Sequence, residues 1–331
     1  MIQVPKLVHS RGQMSSHTFT QLDVFTDQPF CGNPLAVFPQ AEGISDEDMM
    51  KIAREMNLSE TVFVLPPKPK TTQDGPDVLR RLRIYTPARE IPFAGHPVVG
   101  TWNMLAREGI VPVPDGGTGW TRIHHEVGIG ILPVDIEFKD GVVDQVVMTQ
   151  GKFQVLHEID DSHEQAELAR ALGRAREELD ENLPIQVIST GLTCLAVPIR
   201  SLADLRDCRV NSSLLGEIYT RRGAVGCLAF SRETLEVGPS RVHARFFAPA
   251  DNIAEDPATG SACGALGGYL IHHGALNLEP QDNKYMFVIE QGDFIHRPSR
   301  IRLEVTGGPG DVRLVRVGGQ SVVVAHGEVE F

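Results

Sequence analysis

The stretch of sequence that decides the fold is EDPATGSA at residues 255–262, which leads into the apolar run CGALGGYLI at residues 263–271. Pro257 suits the first turn of a helix, because its φ is preset and its missing N–H has no helical partner to lose. The small residues that follow allow the backbone to approach a ligand or a neighbouring element closely. The pattern predicts a loop that feeds a buried helix beginning near Pro257. Free N–H groups beside Gly260 and Ser261 would then suit an anion.

A second copy of this pattern bears on its function. Taken alone, the stretch is more typical of an ordinary capped helix in a protein core. The earlier copy is RIYTP at residues 83–87 with HPVVGT at residues 96–101, and the later copy is ARFFAP at residues 244–249 with DPATGS at residues 256–261. Both read as a strand, a proline turn, and then a polar residue, Pro, two small or β-branched residues, Gly and a hydroxyl residue. His96 and Asp256 occupy the same place in the two copies, 160 positions apart (256 − 96).

The spacing of the two copies indicates an internal duplication. LAV at residues 35–37 recurs at residues 195–197, which is the same offset of 160 positions (195 − 35). Internal similarity at one period is a strong guide to architecture. A chain of 331 residues also exceeds a comfortable single core, since domains average roughly 150 residues. We therefore predict two like-folded halves, residues 18–150 and 151–331, after a loose extension at residues 1–17.

Strands outnumber helices in both predicted halves. Runs at residues 18–25, 35–38 and 62–65 have the pattern of strands in the first half. Each half also has one helix that is apolar on every side, at residues 98–108 and 257–271, and such a helix must be buried all round. A strongly curved sheet wrapped around the helix would bury it. The predicted fold class is α+β, with two pseudo-symmetric domains that each wrap a curved, mostly antiparallel sheet around a central helix.

Composition and charge exclude several classes of protein. Apolar residues make up 41% of the chain and charged residues 22%, which is ordinary for a soluble globular protein. The chain has no apolar run of about 18 residues that could span a bilayer, so no membrane partner is predicted. It has 31 basic and 43 acidic residues, a net charge of −12. Because phosphate backbones are bound by clustered Lys and Arg, nucleic acid is not a predicted partner either.

The cysteine and histidine patterns indicate neither disulfides nor a metal site. The cysteines are Cys31, Cys194, Cys208, Cys227 and Cys263. Their odd number and unpaired spacing favour reduced thiols, and residues 1–17 lack the apolar core of a secretory signal, so a cytoplasmic location is predicted. The adjacent histidines at residues 124–125 and 272–273 would point to different faces and make poor chelates. With no GxGxxG opening a helix, we expect no metal and no nicotinamide or flavin cofactor.

Three residues are candidates for proton transfer: Glu60, His96 and Asp256. Glu60 is predicted at a helix-to-strand junction, where side chains often project from the end of a sheet. A carboxylate in a cleft has a raised pKa, which suits a group that takes and gives a proton near neutral pH. Each residue alone has a plainer explanation, namely capping or a surface ion pair for Glu60 and a hydrogen-bonded turn for His96. The matching positions of His96 and Asp256 favour a shared cleft.

Several motifs, in chain order, resemble the phenazine-biosynthesis PhzF-like isomerase family. They are GNPLAVF at residues 32–38, NLSETVF at 57–63, GHP at 95–97 with Gly100, EDPATGSA at 255–262, and QG at 291–292 with RPS at 297–299. They extend over nearly the whole chain from about residue 18. The family shares its fold with diaminopimelate epimerase and proline racemase, so the resemblance implies two similar halves with the active site between them. It also implies a homodimer without metal or organic cofactor.

The resemblance also implies roles for individual residues. The catalytic residues are Glu60, His96 and Asp256, and the substrate-binding residues are Gly95, Gly260 and Ser261. Glu60 is similar to the family's acid/base, which moves a proton on trans-2,3-dihydro-3-hydroxyanthranilate. His96 and Asp256 are similar to residues that position the polar groups of the substrate. Gly260 and Ser261 would hold the carboxylate of the substrate.

Two departures from the family's pattern leave the substrate open. Val98 and Val99 stand where Thr-Leu is common, and His296 stands where Gly is usual, so either change could reshape the pocket. The implied function is a cofactor-independent isomerase acting on a small carboxylate-bearing ring or diene. One alternative is an epimerase or racemase of the same fold, but those relatives use a cysteine pair where this chain has His96 and Asp256. The other alternative is a catalytically silent metabolite-binding protein.

Overall fold

The computed structural model describes residues 15–69 and 76–331, and these residues form six α-helices and eighteen strands. The helices are α1 Asp46–Met56, α2 Gly95–Arg107, α3 Ser162–Ala171, α4 Leu202–Arg206, α5 Ser212–Arg221 and α6 Gly260–His272. The first nine strands are β1 Ser16–Val24, β2 Asn33–Phe38, β3 Glu60–Leu65, β4 Val78–Tyr85, β5 Glu90–Ile91, β6 Gly119–Val127, β7 Gly130–Lys139, β8 Val142–Thr149 and β9 Gln154–Glu158. The other nine are β10 Gln186–Ser189, β11 Thr193–Pro198, β12 Cys227–Ser231, β13 Ser240–Ala248, β14 Ile253–Asp256, β15 Lys284–Gln291, β16 Ser299–Gly308, β17 Asp311–Gly319 and β18 Ser321–Glu330.

The two sets of nine strands pair in the same order. In the first set, β1 is antiparallel to β2, β2 is parallel to β3, β3 is antiparallel to β4, and β4 is parallel to β6. Strands β10, β11, β12, β13 and β15 repeat these pairings with the same directions. Leu35 is the third residue of β2 and Leu195 the third residue of β11, as the repeated LAV predicts. The predicted fold of two similar halves is confirmed.

The last strand of the chain lies in the sheet of the first half. Strand β9 pairs with β10 of the second half, and β18 pairs with β1 of the first half. The sheets also meet where β8 pairs with β17. The last strand, Ser321–Glu330, therefore departs from the proposed division at residue 150, because it belongs to the second half in sequence but pairs with β1 of the first half. The β1–β18 and β8–β17 pairings join the two halves through backbone hydrogen bonds.

The N-terminal boundary also differs from the expected one. Residues 1–17 are predicted as a loose extension, but β1 begins at Ser16 and pairs with β18 from its first residue. An extended segment next to an unpaired strand edge gains ladder hydrogen bonds, and β18 supplies that edge. Residues 1–14 lie outside the described part of the chain, and so do residues 70–75 of the loop predicted at residues 66–77.

Both central helices are buried on nearly every side. All residues of α2 from Gly95 to Ala106 are buried, and in α6 every residue from Gly260 to Ile271 is buried except Ser261. Helix α2 packs against β1, β2 and β8, and α6 packs against β10, β16 and β17. This burial matches the all-round apolarity of the two sequences. In the described ranges, none of the helices is long and apolar enough to cross a membrane.

The central helices begin at different residues from those predicted. Helix α6 starts at Gly260 rather than near Pro257. Asp256 pairs with β13, and the Gln291 side chain hydrogen-bonds the backbone on either side of Pro257, where the chain bends. Helix α2 starts at Gly95 rather than Val98, with Pro97 in its first turn, where no N–H is needed.

These helix starts change the expected correspondence between the two copies. Gly95 and Gly260 are the first residues of their helices, so the offset there is 165 positions (260 − 95) and His96 corresponds to Ser261. Asp256 instead ends strand β14, four residues before its helix. The prediction that His96 and Asp256 are equivalent is therefore wrong for the helix positions, although both residues reach the same cleft.

Candidate active site

The six residues predicted for the site line one cavity of about 400 Å³. Glu60, Gly95 and His96 come from the first half, and Asp256, Gly260 and Ser261 come from the second. Much of the remaining wall is apolar and includes Ile91, Phe93, Leu192, Phe246 and Ile253. Among the described residues that line the cavity, none is Lys or Arg. The cavity thus combines acidic side chains with an apolar wall and two helix N-termini.

The N-termini of α2 and α6 meet at this cavity. A Cβ atom placed on Gly95 would lie 3.6 Å from the backbone nitrogen of Ser261, so the two first turns approach closely. The residues before them, Ala94 and Thr259, make no side-chain cap to either helix. Unpaired N–H groups and the positive ends of two helix dipoles therefore face the same space, which favours a bound carboxylate.

Glu60 has a carboxyl group that favours its protonated form. It is the first residue of β3, which lies parallel to β2 and starts at the edge of the cavity. Its side chain is 16% exposed, and its Oε2 atom is buried without a hydrogen-bond partner among the described residues. Burial and, to a smaller extent, the charge of Asp256 raise the pKa of Glu60 to about 8. A carboxyl group with such a pKa can act as both acid and base near neutral pH.

His96 is held as a neutral imidazole beside Glu60. Burial lowers the pKa of His96 to about 3, although a hydrogen bond to the carbonyl of Pro34 opposes the shift. The Nε2 atom of His96 lies 3.4 Å from Oε2 of Glu60. Because a carbonyl can only accept, the ring nitrogen that faces Pro34 carries the proton, and Nε2 offers a lone pair. The protonated carboxyl of Glu60 can therefore donate toward Nε2.

Asp256 is fixed by hydrogen bonds from both halves. The Nδ2 atom of Asn33 donates to Oδ1 of Asp256 at 3.0 Å, and the hydroxyl of Thr259 donates to Oδ2. Burial raises the pKa of Asp256, while the hydrogen bonds from Thr259 and Asn33 oppose the shift. Gln291 donates through Nε2 to the backbone oxygen of Asp256 at 2.7 Å. The carboxylate is thus held in one orientation at the cavity wall.

Sequence reasoning gave no role to Asn33, Thr259 or Gln291. Asn33 and Pro34, the first two residues of β2, orient Asp256 and His96 respectively. Asn33 is fully buried and also donates to the backbone oxygen of Ala258 at 2.9 Å. The motifs GNP and QG contain Asn33 and Gln291 and were a signal that these residues matter. Their contacts join residues more than thirty positions apart, which motif spacing does not reveal.

Four residues singled out in the sequence, Cys263, Val98, Val99 and His296, do not line the cavity. Cys263 is fully buried, its thiol donates to Oε1 of Gln291, and burial raises its pKa well above the ordinary value. Val98 and Val99 are buried in α2, and neither they nor His296 lines the cavity. In residues 15–69 and 76–331, no group of three or more His, Cys, Asp or Glu side chains is arranged to hold a metal ion.

The duplicated fold, which encloses a buried carboxyl of raised pKa between its two halves, is the fold of the PhzF proteins and of epimerases. A family model described as phenazine biosynthesis-like protein, PhzC-PhzF, matches residues 22–327. The chain therefore belongs to the PhzF family, as the sequence motifs predict. The relatives in this family whose reaction is named are isomerases, which places the chain among isomerases.

Three known proteins illustrate the similarity. The trans-2,3-dihydro-3-hydroxyanthranilate isomerase of Pseudomonas aeruginosa is 35% identical over 94% of this chain and 98% of the relative. The crystal structure of a PhzF-family phenazine biosynthesis protein of Bacillus anthracis has a TM-score of 0.79 and 27% identity, covering 95% of this chain and 99% of that one. A hydroxyproline epimerase of Agrobacterium vitis has a TM-score of 0.60 at 12% identity, covering 95% and 92%, and this likeness shows the fold alone.

Proposed function

We propose that this protein is a cofactor-independent isomerase that moves a proton between two carbons of a small carboxylate-bearing ring or diene. The observation that carries the proposal is the buried Glu60 carboxyl, with its pKa raised to about 8, facing the cavity between the helix N-termini. A group of this kind is ionised often enough near neutral pH to accept a proton and acidic enough to return it.

The proposed reaction needs one acid/base group. The Glu60 carboxylate removes a proton from an sp³ carbon of the substrate, and the electron pair of the broken C–H bond becomes part of a shifted double bond. The carboxyl group then returns the proton to the carbon at the far end of the shifted system, so no hydride or electron leaves the substrate. Neutral His96, 3.4 Å away, can accept a hydrogen bond from the protonated carboxyl.

The remaining site residues would bind and orient the substrate. Gly95, Gly260 and Ser261 would hold its carboxylate at the two helix N-termini, where backbone N–H groups are unpaired. Asp256, fixed by Asn33 and Thr259, would orient a polar substituent of the ring. Orientation of this kind lowers the barrier by keeping the reacting atoms in line.

The substrate proposed is trans-2,3-dihydro-3-hydroxyanthranilate or a close analogue. Support comes from the isomerase of Pseudomonas aeruginosa that is named for this compound. It also comes from the cavity, which brings together the six residues for which the family resemblance implies a role. The departures at Val98, Val99 and His296 lie outside the cavity lining, so they do not by themselves argue for another substrate. We further propose a cytoplasmic homodimer, and a mass near the 36.3 kDa chain by light scattering would contradict the dimer.

Two alternatives make different demands on the site. An epimerase or racemase of this fold that works through two thiols would need cysteines at the helix entries. Among the described residues that line the cavity none is a cysteine, and the thiol of Cys263 is hydrogen-bonded to Gln291. A silent metabolite-binding protein would bind small carboxylates without turning them over. The raised pKa of Glu60 favours the enzyme, since a binding site alone gains nothing from such a shift.

The test is Glu60→Gln, measured with trans-2,3-dihydro-3-hydroxyanthranilate. The amide keeps the shape of the side chain but cannot titrate, so the substrate should still bind while turnover falls by at least about 10²-fold. In D₂O the wild-type product should carry deuterium at the carbon that receives the proton. A Glu60→Gln enzyme with wild-type turnover would contradict the mechanism, and a wild-type protein that binds the compound without turnover would favour the silent binding protein.

A further inference from the structure

The Gln150 side chain is an unpaired amide at the wall of the active cavity. Gln150 follows β8 at the junction of the two halves, and its backbone N–H donates to the carbonyl of Val315 at 2.9 Å. The residue is 8% exposed and lines the same cavity as Glu60. Within the described parts of the chain, its Nε2 atom is buried without a hydrogen-bond partner. Buried amides are nearly always paired, so an unpaired one at a cavity wall points to a ligand.

The side chain of Gln150 lies beside the second turn of α6. A Cβ atom placed on Gly264 would lie 3.1 Å from Cγ of Gln150 and 3.5 Å from its Cδ. Gly264 stands four residues after Gly260, so both lie on the same face of the helix, about 6 Å apart along its axis. The glycine at position 264 leaves room for the glutamine there. The amide is therefore close to the helix N-terminus that would hold a carboxylate.

A second connection joins this region to Ser261. Gly151, the neighbour of Gln150, donates its N–H to the carbonyl of Thr190 at 2.8 Å. The hydroxyl of Thr190 lies 3.4 Å from the carbonyl of Ser261, which it can donate to. Gln150, Thr190 and Ser261 all line the cavity. The backbone that carries Gln150 is thus held by β17 on one side and by Thr190 on the other, and the Thr190 hydroxyl contacts the start of α6.

The cavity lining is acidic and offers a substrate carboxylate no positively charged side chain among its described residues. Its described lining residues include the acidic side chains Glu60, Asp251 and Asp256 but neither Lys nor Arg. A substrate carboxylate would therefore rely on helix N–H groups, the Ser261 hydroxyl and any further polar N–H nearby. A hydrogen bond from an amide N–H to a carboxylate is stronger than a hydrogen bond from the same N–H to a neutral acceptor.

We propose that Gln150 donates its side-chain N–H to the carboxylate of the substrate, alongside Gly260 and Ser261. Rotation about the terminal torsion of the glutamine can turn either amide atom toward the ligand. Gln150 would then be a binding residue that selects carboxylate-bearing substrates without adding a charge to the cavity. The inference rests on the proposed function for the presence of a carboxylate at α6.

The test compares two probe molecules that differ only in the carboxylate. 3-Hydroxyanthranilate carries it, and 2-aminophenol lacks it. Gln150→Met keeps the length of the side chain and removes the amide, so affinity for 3-hydroxyanthranilate should fall about 10- to 100-fold, the range for a hydrogen bond to a charged group. Affinity for 2-aminophenol should not change. Gln150→Glu places a negative charge at this position and should lower the affinity for 3-hydroxyanthranilate further.

A matched control is available five residues earlier. Gln145 lies in β8, and its amide is already bonded to Glu137 and Arg302. Gln145→Met should leave the affinity for both probes unchanged and lower the melting temperature, because it breaks existing hydrogen bonds. Gln150→Met should leave the melting temperature of the free protein unchanged or raise it, because an unpaired buried group is removed. A purely structural Gln150 would behave like Gln145.

Three outcomes would overturn the proposal. They are unchanged binding of 3-hydroxyanthranilate in Gln150→Met, an equal loss for both probes, and a wild-type protein that does not bind 3-hydroxyanthranilate at millimolar concentration. Failure of the proposed function would be recognised by a different result, namely turnover that survives Glu60→Gln. A carboxylate-selective loss in Gln150→Met would stand even if the chain acts on another carboxylate or only binds it.

Discussion

The Nε2 atom of His96 lies 3.4 Å from Oε2 of Glu60, and burial shifts the pKa values of the two groups in opposite directions. Burial disfavours the charged form of each group, so the pKa of the carboxyl rises and that of the imidazole falls. At neutral pH the pair is therefore mainly a carboxylic acid facing a neutral imidazole, not a salt bridge. This relationship gives the site a pH dependence that can be measured.

The first prediction concerns the pH dependence of kcat/KM. Removal of a substrate proton needs the ionised form of Glu60, so kcat/KM should rise about tenfold per pH unit from about pH 6 and level off near pH 8, the pKa of the carboxyl. His96, with a pKa of about 3, should add no inflection in this range. Steady-state kinetics on trans-2,3-dihydro-3-hydroxyanthranilate would measure the profile. A flat profile between about pH 6 and pH 9 would contradict the role of Glu60.

The second prediction concerns stability in the same pH range. Because the pKa of Glu60 is raised in the folded protein, its contribution is fully present below the ordinary carboxyl value of 4.5 and is lost as pH rises through about 8. Wild type therefore loses stability as the pH rises, whereas the Gln side chain of Glu60→Gln cannot ionise and is insensitive to pH. The free energy of unfolding of the variant minus that of wild type should increase by up to a few kcal/mol between about pH 4.5 and pH 8.5. Urea unfolding at both pH values measures this difference. A constant difference would mean that the carboxyl is not buried in solution.

The third prediction concerns the anion site at α6. Ser261→Ala removes a hydroxyl and leaves the backbone N–H groups in place, so the affinity for 3-hydroxyanthranilate should fall by about 1 kcal/mol, or somewhat more for a charged partner. Calorimetric titration provides the measurement. Ser162→Ala is a suitable control, since Ser162 is also the first residue of a helix, α3, but does not line the cavity. Equal affinities of wild type and Ser261→Ala would place the carboxylate elsewhere.

The fourth prediction concerns the link between the two halves at Asp256. Asn33→Leu keeps the branched shape and the number of side-chain heavy atoms but removes the amide that donates to Asp256 and to Ala258. We expect KM to rise and kcat to fall together, by about tenfold overall, and the free energy of unfolding to fall by about 1–3 kcal/mol. Steady-state kinetics and urea unfolding would measure these effects.

Asn182 provides the control for Asn33. Its Nδ2 atom donates to Oδ1 of Asp180 at 2.8 Å, which is another amide–carboxylate pair but one outside the active cavity. Asn182→Leu should lower stability with little effect on KM or kcat. If Asn33→Leu changes only stability, as its control does, then Asn33 has no part in positioning Asp256 for the reaction.

The sequence predicted a good deal of the architecture and the site. The repeated LAV located equivalent strands, and two all-apolar runs located the buried central helices. These signals are local or periodic, so they survive without three-dimensional information. The six predicted site residues line one cavity. The sequence could locate them because they lie in motifs at the ends of those elements. Their catalytic roles stay predictions.

The errors arose where contacts distant in sequence override local preference. Proline favours a first helical position, yet Asp256 pairs with β13 and the Gln291 side chain hydrogen-bonds the backbone on both sides of Pro257. Helix α6 therefore starts only at Gly260. Residues 16–17 have the sequence of a loose extension, but in the structure they pair with the edge of β18. The hydrogen bond from Asn33 to Asp256 spans 223 positions, and the sequence offers no pattern for a pair so far apart.

By itself, the sequence determined that the chain is a duplicated α+β protein with two buried central helices and polar residues at their starts, because hydrophobic periodicity and repeated motifs are properties of the linear chain. Only the tertiary structure decided the protonation states of the groups in the cavity. The pKa of Glu60 rises because the two halves close around it and exclude water, and His96 stays neutral for the same reason. Desolvation depends on what surrounds a group in space, and strands from both ends of the chain form those surroundings.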